Sequence, residues 1–157
     1  MALVLGGHGV AFIVGTYLDF FCILVFFRMM PRLQEAHRAS AHRSAKKAFF
    51  RIMQAWSVSD SEAQVLLGQP SRSTFYAYKK GEGGSLAHDT LERVSYVLGI
   101  YKALQLLFPD AAQADAWMQK PNAAFGGKSA LAHALGGRVV DLAEVRTYLD
   151  GVRGGAG

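Results

Sequence analysis

The sequence predicts an all-α protein, and three observations carry that prediction. From Pro31 onward, nearly every segment repeats its apolar residues at helical period. Helix punctuation recurs between segments: hydroxyl or carboxylate residues at starts, glycine or proline at ends. Strand-type alternation is nearly absent, with Arg138-Val139-Val140 one of the few short ambiguous runs. At 157 residues and 51% hydrophobic composition, the chain can bury one moderate core or two small ones. With that apolar content and only 18% charged residues, the composition argues against disorder of the whole chain. The single cysteine, Cys22, excludes an internal disulfide and a multi-cysteine zinc site, and fits a reducing compartment.

Residues 1–28 form the first segment. Residues 2–27 are almost wholly apolar, with glycines at 6, 7, 9 and 15 and Asp19 as the only charge. That length matches a membrane-spanning helix of roughly 20 residues, and the basic residues after it favour a cytoplasmic C-terminal side. A signal peptide fits poorly, because no basic residue precedes the run and no small-residue cleavage site ends it. The rival reading is an over-long start site: Met29 and Met30 follow the run directly, and Asp19 is costly in lipid. The expectation is the rival reading, a cytoplasmic protein without a membrane anchor.

Residues 29–56 read as a basic helix closing on an apolar cluster of Phe49, Phe50, Ile52, Met53 and Trp56. Between Arg28 and Arg51 stand seven basic residues against one acid, Glu35, a local charge of +6. The rest of the chain holds ten basic and eleven acidic residues, so this segment accounts for the whole net charge of +5. Such a segment suits a polyanion or an acidic partner; a solvated face, or the flank of a membrane segment, explains it equally well.

Residues 57–108 read as a helix-turn-helix followed by a long helix. Ser59 with Glu62 has the capping-box pattern, in which each side chain satisfies an amide of the first turn. The helix it opens is short, and Gly68 supplies a left-handed stop. Gln69-Pro70-Ser71 then turns the chain into a second helix, from about Ser71 to Lys80, ended by Gly81. The Gly81–Gly84 loop leads to a helix reaching Phe108, capped by Ser85 or Asp89. Its expected apolar stripe is Leu91, Val94, Leu98, Tyr101, Leu104 and Leu107/Phe108. The stripe is wide enough for dimerisation or for burial within the chain.

In residues 109–157, Pro109 stops that helix and Asp110 caps the next, over 111–119. Two short helices follow, about 128–135 and 142–150, the second opened by the Asp141/Glu144 pair. The glycine-rich tail, 151–157, is expected to fray unless a partner orders it.

The close spacing of the two helices in 59–80 lets the second enter a major groove with its N-terminal end. Its polar face offers Ser71, Arg72, Ser73, Thr74, Tyr78, Lys79 and Lys80. Hydroxyls can bond phosphate or base edges, Arg72 can read a guanine, and the lysines can neutralise phosphates. Val65, Leu66 and Phe75, with Tyr76, are the expected inner faces. Helix pairs of this kind also occur without DNA, and Glu82 and Glu92 temper the affinity. The basic helix before it can contact the DNA backbone from outside the groove.

The most specific run is Trp117-Met118-Gln119-Lys120-Pro121-Asn122-Ala123-Ala124-Phe125-Gly126-Gly127-Lys128-Ser129-Ala130-Leu131. Pro121 stiffens the chain and Asn122 can form an Asx turn. Trp117 and Phe125 either fill the core of a small domain or anchor a partner, and Gly126-Gly127 permit positive φ or close approach. This run resembles the C-terminal toxin-binding domain of Xre/MbcA/ParS antitoxins, with Ala130 where that family usually has proline. Trp56 through Leu67-Gly68, Leu91–Val94 and Ile100-Tyr101 to Pro109 are similar to the family's Xre-like half. The resemblance covers about residues 49–152.

It implies an Xre-like helix-turn-helix domain followed by a small helical toxin-binding domain. It also implies a RES-domain toxin partner that attacks NAD or uses it for ADP-ribosylation, and repression of the shared operon through operator DNA. Toxin-facing candidates are Trp117, Pro121, Asn122, Phe125, Gly126 and Gly127, with Tyr148, Asp150 and Arg153 near the C-terminus. A homodimer or a larger hetero-oligomer with toxin is expected. The alternative is a stand-alone helix-turn-helix regulator, tethered to a membrane if residues 2–27 span one.

No cofactor is expected. Gly126-Gly127-Lys128-Ser129 ends like a phosphate-binding loop, but that motif needs glycine at position 122 and a preceding strand. The histidines (His8, His37, His42, His88, His133) show no clustering with carboxylate or cysteine in the sequence. No nucleophile–base constellation is visible, so no enzymatic activity is expected.

Overall fold

The structure is a computed structural model that describes residues 35–155. The two readings of residues 1–28, and Cys22 with them, lie outside the described residues. The chain divides into two compact units, Met1–Ser40 and Ala41–Gly157. The first contributes only its helical residues 35–40 to the description; the account below concerns the second. The described residues are helical and contain no strand, only an isolated bridge between Pro121 and Ser129. None of the described helices is long and apolar enough to cross a membrane.

Helix α1 runs over 35–55 and buries Phe49, Ile52 and Met53, with Trp56 just beyond its end. Their spacing by three and four residues places them on one face. Fully burying side chains of this size contributes about 1.5–3 kcal/mol each. Phe50 sits at the edge of this face, its ring edge-on to Phe49 (5.3 Å) and to Phe75 (5.5 Å). Ser57, at a φ of 56°, redirects the chain.

Helix α2, Asp60–Leu66, opens on the expected capping box: Ser59 accepts the Glu62 amide, and Glu62 accepts the Ser59 amide at 2.9 Å. The hydrogen bonds from Ser59 hold the Glu62 carboxyl below the usual range. Gly68 takes a φ of +86°, and Gln69 stays left-handed at 57°. That geometry turns the chain into α3, Arg72–Lys79, which Ser71 caps by accepting the Thr74 amide.

Helix α4, His88–Leu107, has 20 residues and so spans about 30 Å. Neither Ser85 nor Asp89 caps it: Ala87 is its N-cap, without a side-chain bond. Asp89 instead accepts from the Nε of Arg93, one turn on, at 2.8 Å. The buried face is also rotated from the expected stripe. It comprises Thr90, Arg93, Val94, Val97, Ile100, Ala103 and Leu104, whereas Leu91 is exposed and Leu98, Tyr101, Leu107 and Phe108 are half-buried. The breadth of apolar surface is used within the chain, because α4 packs against both α5 and α7.

Asp110 caps α5, Ala111–Trp117, by accepting the Ala112 amide at 3.0 Å. A 3-10 turn, Ala123–Phe125, leads to α6, Ala130–Ala134, capped by Ser129. Ala130 therefore occupies the first helical position, where proline is also at home; with Ser129 capping, alanine leaves the turn formed. Helix α7, Val139–Gly154, starts earlier and ends later than expected. The ambiguous Arg138–Val140 run is its N-cap and first turn, and Gly151–Gly154 continue the helix instead of fraying. Side chains from α1 to α7 join in one core, from Phe49 to Leu149.

Candidate functional site

Two separate surfaces carry the candidate residues. The first is α3. Arg72, Ser73, Lys79 and Lys80 are exposed, and Ser71 lies exposed at the N-cap. The hydroxyls form a small network: Ser71 Oγ lies 3.0 Å from Ser73 Oγ and 2.8 Å from Thr74 Oγ1. Ser71 thus serves first as the helix cap, and Thr74 is half-buried beside it.

Two tyrosines exchange the places expected for them. Tyr78 is 7% exposed, buried with Phe75, and the Lys46 ammonium lies 5.2 Å from its ring centroid. It is removed from the DNA-facing set, because a residue three after Phe75 shares Phe75's face. Tyr76, expected inside, is 42% exposed and lies on the polar side with Arg72, Ser73 and Lys80. Lys79 is half-exposed but tied to Asp60 at the start of α2, Nζ to Oδ1 2.7 Å, so its charge is already matched. Lys46, counted in the basic segment, is also occupied. It is buried and donates to the carbonyls of Glu82 (2.6 Å) and Gly84 (2.9 Å). Burial, with Arg43 nearby, lowers the pKa of its ammonium.

The second surface is built by the turn after α5 and by α7. Asn122 makes the expected Asx turn, its Oδ1 accepting the Ala124 amide at 2.9 Å, and its own amide donates to the Lys128 carbonyl at 3.0 Å. Gly126 and Gly127 adopt φ of 64° and 82°, and both are exposed, as is Pro121. Met118 fills the core here. Trp117 and Phe125 are half-buried instead, and they meet on Tyr148 of α7. Trp117 stacks on Tyr148 with centroids 6.1 Å apart, Phe125 meets it edge-on at 5.4 Å, and His133 stacks on Phe125 at 5.0 Å. Val152, one turn beyond Tyr148 on the same helical face, is 44% exposed. It extends the cluster; in the sequence it falls in the glycine-rich tail beyond the helix expected over 142–150, so nothing singles it out there.

Asp150 and Arg153 are engaged on α7 itself. Asp150 accepts from Arg146 Nε at 2.7 Å, and Arg153 stands 3.6 Å from its other oxygen. Arg146 also donates to the Gly99 carbonyl, fastening α7 to α4.

The fold brings His133 together with two carboxylates that the sequence does not show as neighbours. His133 Nε2 lies 2.7 Å from Glu144 Oε2, and Asp141 is close by. Asp141 is committed to Arg138: its Oδ1 accepts from Nε and Nη2 at 3.1 and 2.6 Å, and its Oδ2 accepts the Arg138 amide. Burial raises the Asp141 pKa, but the hydrogen bonds and charge of Arg138, with His133, outweigh it and leave the carboxyl below its ordinary value. The start of α7 is therefore tied by the Arg138–Asp141 ion pair and by the His133–Glu144 hydrogen bond.

Family models divide the chain along these two surfaces. Residues 35–99 match the antitoxin Xre-like helix-turn-helix domain, and residues 103–155 match the antitoxin Xre/MbcA/ParS C-terminal toxin-binding domain. The uncharacterised protein y4oB of Sinorhizobium fredii (strain NBRC 101917 / NGR234) is 51% identical over 109 residues, which cover 69% of this chain and 84% of that protein. The chain belongs to the Xre/MbcA/ParS antitoxins. The antitoxin thus joins an Xre-like helix-turn-helix to a toxin-binding domain, and the boundary between the two matches falls inside α4.

Proposed function

We propose that the toxin bound by this antitoxin carries a RES domain that cleaves NAD or transfers ADP-ribose from it. The family resemblance implies that partner. The antitoxin blocks it sterically, the end of α7 lying across the entrance to the cofactor cleft. The observation that carries this reading is the half-exposed Trp117–Tyr148–Phe125 cluster, continued along α7 by Val152. Aromatic anchors with partly buried faces are the residues that dominate protein interfaces. Through α3, with Arg72, Ser73, Tyr76 and Lys80 exposed, the antitoxin binds operator DNA and represses the operon it shares with the toxin. The complex is a cytoplasmic hetero-oligomer, which co-purification and fractionation of untagged protein test directly.

The decisive experiment co-expresses the antitoxin with the product of the neighbouring gene and follows cellular NAD. Wild-type antitoxin should co-purify with that product and preserve NAD. The double variant Tyr148→Ala/Val152→Asp should lose about tenfold or more in affinity, as expected for loss of anchor contacts, and NAD should fall. Undiminished protection by this variant would sink the assignment of the surface. Deleting 151–157 removes the last turn of α7 and should also weaken neutralisation. Arg72→Ala should impair operator binding and leave NAD protected.

A further inference from the structure

Arg43, Lys47 and Arg51 are exposed on α1, and none has a carboxylate partner among the described residues. Their spacing of four residues places them on one face, about 6 Å apart along the axis and about 12 Å end to end. They edge an open groove of about 850 Å³ floored by Phe50, Met53 and Tyr78. The far wall is the C-terminal end of α3, with Lys79 and Lys80; the acids Asp60 and Glu82 also line the groove, so the cations of α1 outnumber the acids along one edge only. Lys80 also lacks a carboxylate partner among the described residues, whereas Lys46 and Lys79 are occupied as described above.

Like charges one turn apart repel by about 0.2–0.5 kcal/mol per pair, a cost that an anion lying along the row would remove. A compact anion is best held by converging donors, and a straight row does not converge. The step along the row is close to that between neighbouring phosphates on one nucleic-acid strand. We propose that Arg43, Lys47 and Arg51 form a phosphate track that holds the DNA backbone beside the site read by α3. This rests on the DNA-binding reading of α3 and adds a sequence-independent part to it. Lys80 joins the track from α3, and Asp60 withholds Lys79 from it.

The test is the salt dependence of binding by the full chain. Two labelled duplexes serve as probes, one carrying the sequence upstream of the antitoxin's own gene and one scrambled. Each phosphate contact contributes about −0.9 to the slope of log K against log salt. The triple variant Arg43→Gln/Lys47→Gln/Arg51→Gln should make the slope shallower by about 2.7 on both duplexes and leave their affinity ratio unchanged. Arg43→Lys/Arg51→Lys should keep the wild-type slope, and Asp60→Asn, which frees Lys79, should steepen it by about 0.9. Far-UV circular dichroism and the urea midpoint confirm that each variant is folded.

An unchanged slope in the triple variant overturns the track. The same holds if that variant loses binding to the neighbouring gene product and keeps its DNA slope, which would give the row to an acidic protein. If Arg72→Ala alters the affinity ratio while the triple variant matches wild type, the track fails and the α3 reading stands. If wild type binds neither duplex, both fail.

Discussion

Gly68 shows how one residue can fix the helix-turn-helix angle. It needs a φ of +86°, and an added Cβ would lie 2.8 Å from Asp89 Oδ2 and 2.9 Å from Arg93 Nε. Those two atoms form an ion pair, and Arg93 also donates to the Gly137 carbonyl at 3.0 Å. Gly68→Ala should therefore destabilise by about 1–3 kcal/mol, the cost of a strained non-glycine φ, with the displaced ion pair adding to it. A urea titration with an unchanged midpoint would contradict this. The sequence made Gly68 legible as a stop, since a glycine after an apolar run ends helices. It did not show that Arg93 would be buried at 8% exposure beneath that turn. Burying an arginine requires partners from Asp89 and from Gly137, and the latter lies 44 residues away. The Tyr76 and Tyr78 exchange is of another kind: three-residue spacing from the buried Phe75 was available in the sequence and placed Tyr78 inside.

At the scale of elements, helix starts with a hydroxyl or carboxylate cap were readable and those without one were not. Ser59, Ser71 and Asp110 each cap where their sequence patterns place them. The starts of α4 and α7 have Ala87 and Arg138 at the N-cap, residues with no capping preference, and both were misplaced. At α7, Asp141 reaches back to the Arg138 amide and guanidinium, so the helix is fastened from its third residue. That fastening depends on pH. The Asp141 carboxyl is held below its ordinary value of 3.8, so its stabilising contribution is full above that value and is lost as pH falls through the lower folded value. Asp141→Asn should lower the urea midpoint at neutral pH and narrow the gap to wild type as pH drops below about 4. A gap that stays constant from neutral to acid pH would refute the role given to the charge.

At the scale of the whole compact unit, Ala41–Gly157, the two functional surfaces share one core, and α4 belongs to both. Val97 and Ile100, both wholly buried, stand on either side of Gly99, where the match to the helix-turn-helix domain ends. Further links cross between the halves: Gln119 donates to the Trp56 carbonyl at 2.8 Å, and Arg93 holds the turn before α7. Elements joined by a common core and cross-linking hydrogen bonds unfold together in a small domain. The chain offers a direct check, because its two tryptophans lie in different halves, Trp56 after α1 and Trp117 at the end of α5. Trp117→Phe leaves Trp56 as the sole tryptophan. Its fluorescence transition in urea should coincide with the loss of helix seen by circular dichroism in the same variant. Two separated transitions would mean that the helix-turn-helix and toxin-binding halves fold independently. Coincidence has a functional corollary: a cavity at the shared centre, such as Ile100→Ala, should cost about 2–5 kcal/mol and impair DNA binding and neutralisation together. Changes confined to Arg72 or to Tyr148 touch one surface each, so their effects should be separable and additive.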